Sequence, residues 1–460
     1  MEAWLRAALD YLPRWIDFQM RQSEQAGCML AVAHRGRVVA EHACGSADLS
    51  TGEALTPRHR FRVASHSKSF TAAGILRLRE AGRLTLDDPV GRHLDGLHPG
   101  VAPVTLAQLL GHSGGLTRDG TVQGAFSDQR PFASAEEVLS DLAGGPAIPP
   151  GTRFKYSNHG FALAGMVIEA VTGQPFAGWI AREVIEPFGL CETAPDMPLP
   201  LGLPFARGHS GKWPVGHRLV IPGDNPANAI APAGGFVSTA ADLVLFYAQL
   251  SPSAPDSPLS VASRREMARR QWRNPHTSIE LWYGLGTMSG TVAPDWEWFG
   301  HSGRLQGYVS RSLVVPEQEI AVSVLVNGID GIADLWCEGV LQVLRAFRSR
   351  GAPSAELRDW TGRWWTPWGA IDLLPAGDRV LMAQPALWNP LLDVSEIEVT
   401  GRDSGVVSLA PGFGNHGEPV HLSRGADGVP QAFQLAGTRC LPEAAVTAAM
   451  EARYKGGADA

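Results

Sequence analysis

The chain has 460 residues, enough to bury a deep core and more than one core ordinarily organises, which predicts two domains. Its formal net charge is -7 and its 39 lysines and arginines are scattered, so neither a nucleic-acid surface nor a basic membrane-binding helix is expected. The five cysteines, at 28, 44, 191, 337 and 440, are odd in number, far apart and without a C-x-x-C pair, which suits reduced packing residues in a cytoplasmic protein.

In chain order, residues 2 to 25 carry apolar side chains at helical period, with Trp4, Leu5, Ala8, Leu12, Trp15, Ile16 and Met20 on one side. The same stretch contains acids and no unbroken apolar run, so it does not read as a signal peptide, and no segment reaches the ~20 apolar residues of a membrane span. Cys28–His34 and Arg37–Ala43, separated by Arg35-Gly36, read as a hairpin. The stretch from Phe61 to Leu76 then runs from a short loop into an apolar helix, opened by Ser65 and closed at Ala81-Gly82. Ser65 and Lys68 stand three apart, so hydroxyl and amine share a helix face. A serine hydroxyl needs a base to become a nucleophile, and a lysine can be that base if burial and a helix N-terminus lower its pKa. By itself S-x-x-K far more often marks a serine cap and a solvated lysine.

Thr105 caps a short helix that runs into the glycine turn Gly111-His112-Ser113-Gly114-Gly115. The turn-rich loop from Pro149 to Gly160 leads into an apolar helix, Phe161 to Val171, and presents Tyr156, Ser157 and Asn158 at its head. A second glycine turn and a capped helix follow over 231–243. The period then changes: 296–303, 308–315 and 320–326 read as three consecutive antiparallel strands, closed by an apolar helix over 332–347. Strands at both ends with helices between predict an α/β fold, an antiparallel sheet flanked by helices with an inserted helical region. At Gly351–Ser354 the texture shifts to short strands, frequent turns and Trp360, Trp364, Trp365 and Trp368. This predicts a small all-β barrel-like domain over 354–455, with the tryptophans in its core, after a first domain over 1–350.

Ser65 with Lys68, then Tyr156-Ser157-Asn158, then His301-Ser302-Gly303 occur in this order. The chain thereby resembles the serine β-lactamase-like and penicillin-binding-protein-like hydrolases, the group of class C β-lactamases, esterases and D-aminopeptidases (peptidase family S12). The resemblance extends to Leu84–Val90, Leu109–Leu116, Pro150-Gly151-Thr152 and Ala233–Thr239, and covers roughly residues 10 to 348. It implies a β-lactamase/transpeptidase-like sandwich and an acyl-enzyme on Ser65, with Lys68 and Tyr156 as a general-base pair. Asn158 would contact the substrate amide and position Lys68. His301, Ser302 and Gly303 would line the substrate strand, and the backbone N–H groups of Ser65 and Arg304 would form the oxyanion hole. The tail, with Gly417–Leu422 and Gln431–Leu435, resembles the lipocalin-like barrel appended to some peptidases of the family.

His301 stands where β-lactamases of this group usually carry lysine, and a histidine is mostly neutral at pH 7. Small esters, amides or short peptides, D-residues included, are therefore the expected substrates; β-lactamase or D-Ala-D-Ala carboxypeptidase action is the alternative within the family. A second alternative takes Gly111–Gly115 as the G-x-S-x-G elbow of an α/β-hydrolase with Ser113 as nucleophile, although an elbow needs a strand before the serine and here a helix precedes it. There is no H-E-x-x-H, and His93, His98, His112, His209 and His217 lack ligand spacing and read as packing or surface residues. No metal or cofactor is expected, the partner is a small-molecule substrate, and homo-oligomerisation is left open.

Overall fold

The computed structural model describes residues 1–121, 124–412 and 414–454; the expected domain end at 455 lies outside them. The chain forms two compact units, Gln25–Cys337, and Met1–Glu24 together with Glu338–Ala460.

The first unit is built on a nine-stranded antiparallel sheet. Its strands are β1 (Gly27–His34), β2 (Arg37–Asp48), β3 (Glu53–Ala54), β4 (Trp272–Arg273), β5 (Trp282–Tyr283), β6 (Met288–Thr291), β7 (Glu297–Leu305), β8 (Tyr308–Val315) and β9 (Ile320–Val326), in the order β3-β2-β1-β9-β8-β7-β6-β5-β4. The hairpin β1–β2 turns at Arg35 and Gly36, whose φ values of 51° and 72° are those of a two-residue turn matched to strand twist. β1 and β9 are apolar at nearly every position, as strands covered on both faces are, and pair from Cys28↔Val326 to His34↔Ile320. Helix Ala240–Leu250, capped by Thr239, packs across β1, β9 and β8.

The helix that matters most runs from Ser67 to Glu80. Its residues Ser67 to Leu76 are all buried, as expected of a helix apolar on all sides. Phe70 lies between Phe236 and Phe246, with ring centroids 4.6 and 3.9 Å away. β7 runs past the turn ahead of this helix so closely that a Cβ on Gly303 would lie 2.2 Å from the Val63 carbonyl oxygen.

In the second unit eight strands from Gly362–Thr366 to Thr438–Cys440 form an antiparallel meander in sequence order. Trp365 pairs with Leu441 through backbone bonds of 2.7 and 2.9 Å, so the sheet is a nearly closed barrel. Side chains fill it: Trp360, Trp364, Leu373, Ile397, Val420 and Phe433 form its core. Trp368 departs from the expected tryptophan core, because it sits at the tip of the first hairpin and is 97% exposed. The N-terminal helix, Ala3–Ser23, belongs to this unit, with Gln19 Nε2 donating to the Pro385 carbonyl at 2.6 Å and Phe18 packed on Trp365. Among the described residues no helix is long and apolar enough to cross a membrane.

Gly303→Ala is expected to cost ~1–3 kcal/mol, because the contact it violates is backbone on both sides. The urea midpoint measures it, and an unchanged midpoint would show that β7 is free to move off the Ser65 turn.

Candidate active site

Ser65 sits in a single 3-10 turn, Ala64–His66, ahead of the buried helix rather than as its first residue. Ala64 adopts a left-handed φ of 49°, unusual for a residue with a Cβ and costly by about 1–2 kcal/mol. Ser67 locks that turn. Its hydroxyl donates to the Ala64 carbonyl at 2.6 Å and accepts the Phe236 N–H at 3.0 Å.

Lys68, one turn on, is completely buried, and its Nζ has three partners: Asn158 Oδ1 at 2.7 Å, the Ala233 carbonyl at 2.6 Å and Ser65 Oγ at 3.1 Å. Burial pushes its pKa well below the ordinary lysine value; Asp119 opposes this and Arg118 adds to it. Two of the three partners are carbonyl oxygens, which only accept. In its neutral form the amine has two N–H bonds and one lone pair; with the carbonyls taking both hydrogens, the lone pair faces the Ser65 hydroxyl. The Ala233 carbonyl is free for this because it ends a four-residue helix, Ala231–Gly234, whose last carbonyls have no intrahelical partner. Asn158 is oriented by Asp119, which accepts from its Nδ2, so its Oδ1 faces the lysine.

The Tyr156 hydroxyl donates to Ser65 Oγ at 2.8 Å. Burial raises its pKa, partly offset by the Ser65 bond and Arg118, so the phenol is protonated at rest. Lys68 Nζ lies 4.8 Å from the centre of the Tyr156 ring. Ser157 caps helix Asn158–Thr172 by accepting the Gly160 N–H at 2.9 Å, and donates to the Thr117 carbonyl at 2.6 Å. Asn158 is thus the first residue of that helix, and Tyr156 precedes its cap.

On β7, His301 is 1% exposed. Its Nδ1 lies 2.6 Å from the Ser302 carbonyl and so carries the hydrogen, leaving Nε2 to accept from the Tyr283 hydroxyl at 2.9 Å. Burial, with Lys68 nearby, lowers its pKa from 6.5 to about 3. Ser302 Oγ lies 3.7 Å from Met288 Sδ. The Arg304 side chain points to solvent and pairs with Asp334 at 3.2 Å, on the opposite side of the strand from Gly303, as strand alternation requires. Only its backbone is near the Ser65 turn.

Ser65, Lys68, Tyr156 and Asn158 therefore form one hydrogen-bonded set, with His301 and Gly303 on the strand beside it. Ser113 does not join them. It is buried, its Oγ has no hydrogen-bond partner among the described residues, and a helix (Leu106–Leu110) precedes it, so the strand of an elbow is missing. His93 bonds Asp88 and His209 bonds the Asn327 carbonyl, in structural roles. Three contributors carry no sequence motif of their own: Ala233 acts through its carbonyl, while Asp119 and Tyr283 reach the site through other side chains.

The Beta-lactamase family model matches residues 12–334. "Penicillin-binding protein 4" of Amycolatopsis lactamdurans is 28% identical over 300 residues, which span 63% of this chain and 77% of that protein. "Protein flp" of Staphylococcus aureus (strain N315) is 26% identical over 184 residues, 39% of this chain but only 36% of its own length. Among solved structures, the D-amino acid amidase from Ochrobactrum anthropi SV3 complexed with L-phenylalanine amide is 25% identical with a TM-score of 0.64, covering 75% of this chain and 99% of its own. The octameric penicillin-binding protein homologue from Pyrococcus abyssi has a TM-score of 0.65 over 94% of this chain and 99% of its own at 22% identity, a likeness of fold alone.

Because the folded-state pKa of His301 lies below the unfolded value, the unfolded chain binds more protons between pH 6.5 and about 3. The stability linked to this group is complete above that window and is lost as pH falls through it. From pH 7 to pH 4 the wild type is expected to lose about 3 kcal/mol more than His301→Gln, which cannot titrate. Urea unfolding of both proteins at the two pH values measures the difference; equal losses would contradict it.

Proposed function

Because the chain belongs to the beta-lactamase family and is a serine hydrolase, we propose that Ser65 is its acylated nucleophile and that Lys68 and Tyr156 move the protons. One observation carries this reading: the buried Lys68 amine has carbonyl oxygens on two sides and the Ser65 hydroxyl on the third.

In the proposed cycle Ser65 Oγ bonds to the substrate carbonyl carbon while its proton passes to Lys68. The resulting ammonium remains bonded to Asn158 Oδ1 and the Ala233 carbonyl. The N–H groups of Ser65 and Arg304 take up the oxyanion, donors fixed in advance where charge develops. As the tetrahedral adduct collapses, the leaving alcohol or amine departs with the Tyr156 proton, and the phenolate is stabilised by the nearby ammonium. Water then attacks the acyl carbonyl and gives its proton to Tyr156. Lys68 returns its proton to Ser65 as the ester bond breaks, releasing a carboxylic acid and restoring both groups.

For the substrate we take small esters, amides and short peptides, D-amino-acid derivatives among them. Two observations support this. His301, low in pKa and bonded to Tyr283 and the Ser302 carbonyl, offers no permanent cation to a substrate carboxylate. The neighbour from Ochrobactrum anthropi is a D-amino acid amidase.

The test is kcat/KM for a p-nitrophenyl ester, a D-alanine amide and a chromogenic cephalosporin. The ester or the amide should exceed the cephalosporin by about tenfold or more, a difference of ~1.4 kcal/mol in transition-state binding. Ser65→Ala should abolish turnover of all three, and Ser113→Ala should leave it. A cephalosporin preference would replace the substrate assignment, and activity surviving Ser65→Ala would overturn the nucleophile.

A further inference from the structure

The glycine turn Gly111–Gly115 is left without a role once Ser113 is set aside, yet it packs against the loop that delivers Tyr156. Four backbone bonds join them: Gly115 O accepts the Ala147 and Ile148 N–H groups at 2.8 and 3.2 Å, Ser113 O accepts Gly151 N–H at 2.8 Å, and His112 O accepts Lys155 N–H at 2.6 Å. Gly115 has a φ of 71°, and a Cβ there would lie 2.1 Å from the Ile148 carbonyl, so the approach depends on its lacking one.

His112 contributes more than its carbonyl. Its Nδ1 accepts the Ser157 N–H at 3.1 Å, and its ring centroid lies 4.2 Å from that of Tyr156. One residue thus touches 155, 156 and 157 in succession: a carbonyl on the amide before the tyrosine, an imidazole nitrogen on the amide after it, and a ring on the phenol. It does so with φ at 55°, a left-handed conformation uncommon outside glycine and a strain that persists only where the surroundings hold it. The ring also packs on Tyr283 at 4.6 Å, whose hydroxyl donates to His301, so the same imidazole backs the neighbourhood of the third motif.

Resting on the proposed role of Tyr156, we propose that His112 is a positioning residue that clamps the backbone on both sides of Tyr156 and so holds its hydroxyl on Ser65. The Ser157 amide at Nδ1 requires a lone pair there, so the ring hydrogen is on Nε2. Burial keeps the imidazole neutral and preserves that acceptor. Nε2 has no hydrogen-bond partner among the described residues, so the ring's one hydrogen bond goes to the amide. None of the hydrogen bonds His112 makes involves Ser65 or Lys68, so it reaches the reacting groups through its neighbours, the Tyr156 loop first among them. The tyrosine lies in a loop just before a helix cap, and small misplacements of a reacting group cost large factors in rate.

Two substitutions separate the contacts. His112→Asn keeps an acceptor near the Nδ1 position and tolerates the left-handed backbone, but loses the ring. His112→Phe keeps a ring and loses the acceptor. With a p-nitrophenyl ester, His112→Phe is expected to lower kcat by about tenfold to a hundredfold with KM changed less than about threefold, whereas His112→Asn stays within about threefold of wild type. If the phenylalanine variant does not fold, judged by its Tm, His112→Ala supplies the same contrast, since alanine also lacks the acceptor. Placed in Tyr156→Phe, the His112 substitutions should change kcat by less than about twofold, because their effect runs through the missing hydroxyl. Equal losses in the asparagine variant and the variant lacking the acceptor, or losses undiminished in Tyr156→Phe, would overturn the proposal. A Tyr156→Phe enzyme with wild-type kcat would instead remove the role of Tyr156 on which it rests.

Discussion

A lysine amine enclosed on every side has to resolve its charge. Among the described residues no carboxylate is in direct contact with Lys68; the partners are two carbonyl oxygens and a serine hydroxyl, and Asp119 is reached through Asn158. Carbonyl dipoles stabilise an ammonium less than water or a carboxylate does, so the neutral amine is favoured and its lone pair faces the one partner with a proton to give. The surrounding fold can be understood as what this placement demands. The helix carrying Lys68 is buried along its first ten residues. The turn holding Ser65 is strained at Ala64 and pinned by Ser67. A short helix ends where its free carbonyl meets the amine.

The tyrosine complements the lysine by the same physics with opposite sign. Burial favours the neutral form of both groups. His301 continues this pattern on the strand side, neutral where a lysine would add a buried cation close to Lys68.

Much of this was legible in the sequence, since it depends on local spacing. Ser65 and Lys68 are a turn apart, Tyr156 and Asn158 flank a helix cap, and β8 and β9 are short apolar runs bounded by turns, so their elements and order could be read directly. The all-β character of the tail followed likewise from turn residues at short intervals, although Trp368, inseparable by composition from its neighbours, proved to be a hairpin tip. What escaped depends on tertiary contact. Asp119 meets Asn158 from 39 residues away, and Ala233 acts through a carbonyl that every residue has. His112, read as a packing or surface residue, is buried, and the partner of its Nδ1 is 45 residues distant. The likeness of G-H-S-G-G to a nucleophile elbow directed attention to the serine, while the neighbouring histidine makes the contact to the Tyr156 loop.

The central claim is that Lys68 is a neutral amine at neutral pH. It is tested most directly by following the amine itself, through an NMR titration of the protein labelled at its lysine Nζ atoms, with Lys68→Arg to assign the resonance. The account predicts a midpoint below pH 7, against ~10.4 for an unperturbed lysine. A midpoint above pH 7 would mean that the buried group is an ammonium at rest, and the proton of Ser65 would need another acceptor.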